Sequence, residues 1–133
     1  MAAQMTSYIV IRADQNGPVV EEHPDGHHAI QELVNGYFQM CPVLTPKKAA
    51  GLTCYINDCV LNEKGGIKDE FKNNYSAGGV ARLMGIHGDG LIPGVIIGTA
   101  VFANTAENGD TIPVTPEQIE AVNKAWRRYC KLE

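Results

Sequence analysis

No apolar run in the sequence approaches the roughly 18 residues that a membrane-spanning helix requires, so no membrane association is expected. The opening MAAQMTSYIVIRA lacks a positively charged start followed by an apolar stretch, and it reads as a first strand instead of a secretion signal. An intracellular, cytoplasmic protein is the expectation. Basic residues are scarce: 11 Lys and Arg stand against 15 Asp and Glu, a formal charge of −4. Affinity for nucleic acid comes mainly from Lys and Arg neutralising phosphates, so general nucleic-acid binding is not expected. The one basic cluster, Arg127, Arg128 and Lys131, falls in the last turn of a predicted helix, where it complements the dipole. Cys41, Cys54, Cys59 and Cys130 form no C-x-x-C pair and have no histidine at finger spacing, so neither a zinc site nor any other cofactor is expected. In a reducing compartment they are free thiols. Repeats, low-complexity tracts and linkers are absent, which leaves residues 1–133 as a single domain.

What is present alternates between short strands and amphipathic helices. SYIVIR and PVVEE are β-branched runs separated by residues 14–17, Asp-Gln-Asn-Gly, which is hairpin chemistry. Asp25 is a candidate cap for a helix whose apolar residues Ala29, Ile30, Leu33, Val34 and Tyr37 recur at helical spacing, and Asn35-Gly36 ends it. YFQMCPVL and LTCYINDCVL are strand-like, and Pro42 places the former at a sheet edge. The stretch IKDEFKNNYSAGGVARLMG has no clean period and reads as loop with a short helix. VIIGTAVFA, residues 95–103, is apolar on both alternating faces, as a central, doubly covered strand is, and Gly98 leaves room on one face for a helix. In VTPEQIEAVNKAWRRYCKLE, Thr115 caps, Pro116 takes the first helical position and Gln118 completes a capping box. The stripe Ile119, Val122, Trp126 and Tyr129 is expected to pack on the sheet, with Trp126 substantially buried. The fold class is therefore α+β, a mostly antiparallel or mixed sheet with two main helices.

The segment GIHGDGLIPG, residues 85–94, crowds four glycines before the most apolar run. A phosphate loop needs a helix behind its glycines, and the Walker form adds a lysine; here a strand follows and no lysine is present. A left-handed turn is the expected role, since glycine alone takes positive φ without penalty. His87 and Asp89 are nonetheless a nitrogen and an oxygen in one loop. His27 and His28, being adjacent, diverge on a helix and do not converge on one ion.

The order of these signals, with AIQELVNGYFQ, LNEKGGIKDEFKNN, GVIIGTAVFA and IPVTPEQIE as a set, resembles a family catalogued as a domain of unknown function and found in phages, mobile elements and some algae. The resemblance rests on Asn35-Gly36-Tyr37-Phe38, Asn62-Glu63-Lys64-Gly65, Asn73 or Asn74, and Ile97-Gly98. It departs from the pattern at Asn35, where a second glycine is usual, and over residues 76–93. It implies a fold and no catalytic residue.

No nucleophile, base and acid/base pair stand together in the sequence. The favoured expectation is a non-enzymatic binding or adaptor domain that presents a sheet edge or loop surface to a protein partner, with homo-oligomerisation as one option. The alternative is a protein or enzyme binding a small anion or nucleotide at the glycine-rich loop. Asn73, Asn74, Tyr75, Arg82, His87 and Asp89 are the candidate contacts, and their convergence in one pocket would favour that alternative.

Overall fold

The computed structural model of the chain describes residues 4–43, 50–86 and 94–132. The first strand, β1 (Met5–Ile11), reverses through the expected turn into β2 (Val19–Pro24), pairing antiparallel from Met5–Pro24 to Val10–Val19. Gly17 closes that turn with a φ of 107°, and a Cβ there would meet the indole of Trp126 at 2.8 Å.

Helix α1 (His27–Val34) then crosses one face of the sheet from the β2 edge to the opposite edge. Asp25 does not cap it. Gly26 occupies the cap position at φ 107°, a conformation open to glycine, while the Asp25 amide is drawn back to the Gln4 carbonyl at 2.8 Å. The C-terminal end is as expected: Asn35 is left-handed, φ 63°, and the Gly36 amide bonds the Gln31 carbonyl at 2.9 Å. Tyr37 lies beyond this stop and off the apolar face, 80 % exposed.

Strand β3 (Phe38–Pro42) forms the other edge, in keeping with Pro42, and pairs antiparallel with β4 (Leu52–Asn57). A third helix, α2 (Tyr75–Met84), is the short helix expected alongside loop in residues 67–85, and it fills the second half of that stretch. Gly78 and Gly79 depress its intrinsic propensity and its small residues blur the period. Six of its ten residues are nevertheless buried, so tertiary packing overrides propensity.

Strand β5 (Ala100–Thr105) runs between β1 and β4, antiparallel to both. It is central and covered on both faces, as expected, but begins at Ala100 and not at residue 95. Gly98 is the reason: its φ of 84° bends the chain. The space beside Gly98 holds no helix; a Cβ there would meet the ring of Phe71 at 3.2 Å. A short β6 (Thr111–Ile112) extends β5, and α3 (Pro116–Leu132) follows with the expected box: the Gln118 amide donates to Thr115 Oγ1 at 3.1 Å, and the Thr115 amide to Gln118 Oε1 at 2.8 Å.

The result is an α+β fold, an antiparallel sheet in the order β2-β1-β5-β4-β3. On one face Ile9, Ile11, Cys54, Ile56, Ala100 and Phe102 meet α2 and α3 through Val80, Met84 and Val122. On the other, Tyr8, Val10, Tyr55, Val101 and Ala103 meet Ile30 and Val34 of α1. Trp126 and Ile119 pack against the first cluster only partly buried, and Tyr129 packs on Gly79 of α2 instead of the sheet. Among the described residues no helix is long and apolar enough to cross a membrane.

Candidate functional site

Three asparagine side chains organise the end of the sheet where α1 stops and α2 starts. Asn57, the last residue of β4 and 4 % exposed, donates to the carbonyls of Val34 and Asn35, both at 3.0 Å, and accepts from the Cys59 amide at 2.7 Å. It fastens the end of α1 to the sheet. Gly36 is needed beside it, since a Cβ there would stand 3.0 Å from Asn57 Nδ2. Asn62 Oδ1 accepts from the amides of Lys64 and Gly66, at 2.9 and 3.0 Å, and shapes the excursion that follows β4. Asn74 caps α2 by accepting from the Ala77 amide at 3.0 Å, while its Nδ2 donates to the carbonyls of Ile11 and Gly98 at 2.8 and 2.9 Å. One amide thereby joins β1, the bend before β5 and the start of α2.

Between these clamps lie two adjoining hollows that share Asn35, Glu70 and Phe71. The first, about 250 Å³, is flanked by Arg12, Asp14, Lys72 and Thr99. The second, about 360 Å³, is flanked by Tyr37, Asn57, Cys59 and Lys68. Their linings carry charge of both signs and share the side chain of Phe71. Arg12 is held in place: both guanidinium nitrogens bond the Glu21 carboxylate, Nη2 to Oε1 at 2.9 Å, and His23 Nε2 lies 2.8 Å from the same Oε1. The bond from Arg12 keeps the Glu21 carboxyl below the ordinary glutamate range. Lys68 Nζ lies 3.4 Å from Cys59 Sγ on the rim of the second hollow.

The candidate contacts divide. Asn74, Tyr75 and Arg82 line one groove of about 230 Å³ between α2, Tyr129 and residues 94–96. Asn74 is 2 % exposed and its amide is engaged internally, whereas Tyr75, 72 % exposed, and Arg82 remain open to a ligand. Asn73 is exposed, forms a bridge with Ile97 and does not line the groove. His87 and Asp89 lie outside the described residues, as do residues 87–93 of the glycine-rich segment. Its two end glycines, Gly85 at φ 70° and Gly94 at φ 84°, take the left-handed conformation expected of turns. Among the described residues no three His, Cys, Asp or Glu side chains gather as metal ligands.

Asn57, Tyr37 and Phe71 were not singled out as site residues by sequence reasoning. Asn57 carried one usable signal, an asparagine closing an apolar strand, where a buried amide needs partners. Phe71 carried none, because only the approach of Gly98 gives it a place.

Fold and clamps define the class: an α+β protein on an antiparallel sheet, with loops pinned by buried asparagine amides around an open cleft. Over residues 5–127 the chain matches the family described as a domain of unknown function (DUF3846), and it belongs to that family. No curated protein and no solved structure matches it.

Proposed function

We propose that this chain is a non-enzymatic, intracellular binding module that meets a protein partner at the cleft rim beside the outer strand β3. Tyr37 carries the reading. It is 80 % exposed on the rim of the 360 Å³ hollow, and Met40 of the adjacent outer strand is 58 % exposed. Exposed large aromatics beside a hollow are the side chains that dominate protein interfaces, and mixed charge around them supplies a polar rim. The buried amides of Asn57 and Asn74 are spent on internal bonds, which supports a structural role for them beneath a recognition surface.

Chemical cross-linking and affinity capture on the tagged chain test this reading. A protein retained by the wild type and by Tyr75→Ala/Arg82→Ala, and lost by Tyr37→Ala/Met40→Lys, is expected. Equal retention by both variants overturns the surface, and the absence of any protein partner overturns the reading.

A second reading has one observation in its favour. Arg82 has no ion-pair partner among the described residues and shares its groove with Tyr75 beside Gly94, so a small anion or nucleotide would find a cation there. Calorimetric titration with inorganic phosphate and with a nucleoside triphosphate, on wild type and Arg82→Ala, tests it.

A further inference from the structure

Cys41 of β3 and Cys54 of β4 stand directly opposite each other in the antiparallel pair. The Val43 amide donates to the Leu52 carbonyl at 3.1 Å and the Asp58 amide to the Tyr37 carbonyl at 2.9 Å, which places the odd-numbered residues of β3 at hydrogen-bonded positions. Opposed residues share a face, so both thiols belong to the core under α2 and α3, Cys41 6 % and Cys54 1 % exposed. Burial pushes the Cys54 thiol well above its ordinary pKa, and the neighbouring Cys41 pushes it further. Neither is engaged in a disulfide.

Opposed Cα atoms at hydrogen-bonded positions are about 5.5 Å apart, within the span of disulfides, whereas their Cβ atoms stand at about 5 Å against about 4 Å in a disulfide. Closure therefore asks the two strands to approach by about 1 Å. β3 is an outer strand with β4 as its neighbour in the sheet, so it is the one able to yield.

We infer that Cys41 and Cys54 are a reversible dithiol–disulfide pair, oxidised by a small disulfide such as oxidised glutathione. Cys41 lies under α2 and α3, so the oxidant reaches it only when the outer strand yields; its thiolate then attacks the oxidant to form a mixed disulfide and releases one glutathione thiolate. Cys54, deprotonated, then attacks the Cys41 sulfur and expels the second glutathione. Two protein thiols lose two electrons and two protons, and the oxidant becomes two thiols. Because closure displaces β3, the bond is readily reversed by reductant. Displacement of β3 also moves Met40 and the neighbouring Tyr37. That consequence rests on the partner surface proposed above; formation of the bond does not.

The experiment uses the full chain with Cys59→Ser/Cys130→Ser, which removes the two exposed thiols. The folded protein is equilibrated in glutathione buffers of rising oxidised fraction, acid-quenched, and read by intact mass and thiol count, with circular dichroism monitoring the fold. Both thiols are expected to disappear together, with a mass loss of two hydrogens that reductant restores. Adding Cys54→Ala is expected to replace that product with a glutathione adduct on Cys41. Persistence of both thiols in the most oxidising buffer overturns the inference. So does a Cys41 adduct that Cys54 never resolves, or thiol loss confined to denatured protein. No outcome depends on a partner, so failure here leaves the Tyr37 surface standing.

Discussion

The ring of Tyr129 occupies the place that a side chain at Gly79 would take: a Cβ there would stand 2.2 Å from Tyr129 Cγ. Helices α2 and α3 meet through this contact, and the glycine that weakens α2 as an isolated helix is what admits α3. Gly79→Ala gains about 1 kcal/mol of helix propensity but overpacks the contact by about 1–3 kcal/mol, so a net loss of up to about 2 kcal/mol is expected in urea unfolding. In a Tyr129→Ala background the same change is expected to be neutral or stabilising. Equal effects in both backgrounds would show that the two residues are not coupled.

Asn73 and Asn74 are neighbours with opposite fates. Asn74→Ala leaves the carbonyls of Ile11 and Gly98 without their donor and removes the α2 cap, an expected loss of about 3 kcal/mol. Asn74→Asp keeps a cap acceptor yet sets a carboxylate against two carbonyls, so it too is expected to destabilise, although aspartate is elsewhere as good a cap. Asn73→Asp, on an exposed residue, is expected to stay within about 0.5 kcal/mol. Thermal unfolding of the three variants distinguishes the positions.

Glu21 supplies a pH dependence of defined sign. Its folded pKa is lowered by the bond from Arg12, so the carboxylate's contribution is present above the ordinary glutamate value near 4.5 and is lost as pH falls through the lower folded value. The stability gap between wild type and Glu21→Gln is therefore expected to shrink as pH falls below about 5. Denaturant midpoints across pH 7 to 3 measure it. A gap that does not shrink between about pH 5 and pH 3 would exclude this role for the Arg12–Glu21 pair.

Trp126 is half-buried, in contact with the β1–β2 turn at Gly17 and with the core. Trp126→Ala is expected to cost about 2–3 kcal/mol, below the range of about 3–5 kcal/mol for a fully enclosed aromatic. Chemical unfolding with an unchanged slope checks it; an unchanged midpoint would mean that the contact contributes nothing.

Where local chemistry decides, the sequence is legible: the Thr115–Gln118 box, the Asn35-Gly36 stop, the residue 14–17 turn and the two-faced apolarity of β5 are all read from neighbours within a few positions. For α2 the sequence suggests a short helix but neither its bounds nor its place in the core, because the helix depends on Tyr129 and residues 94–96, distant in sequence, to cover Gly78 and Gly79. The start of β5 shifts to Ala100 for a similar reason, since the bend at Gly98 is held by the Lys72 carbonyl and by Asn74. Of the candidate contacts, Tyr75 and Arg82 share a groove, while Asn74 faces inward. An asparagine's type is visible in sequence; whether its amide meets a ligand or three backbone groups is a tertiary fact.

The strand order also dictates how the chain must assemble. The hairpins β1–β2 and β3–β4 each pair with near neighbours in sequence, but they touch the same sheet only through β5, which arrives more than forty residues after β4 and inserts between them. During synthesis both hairpins emerge with an apolar edge still unpaired, and Phe102 and Val101 complete two cores at once. β5 is the keystone of an arch whose two sides are already built. Such late, long-range closure slows folding and prolongs exposure of those edges, so the waiting halves are where a chaperone would find purchase.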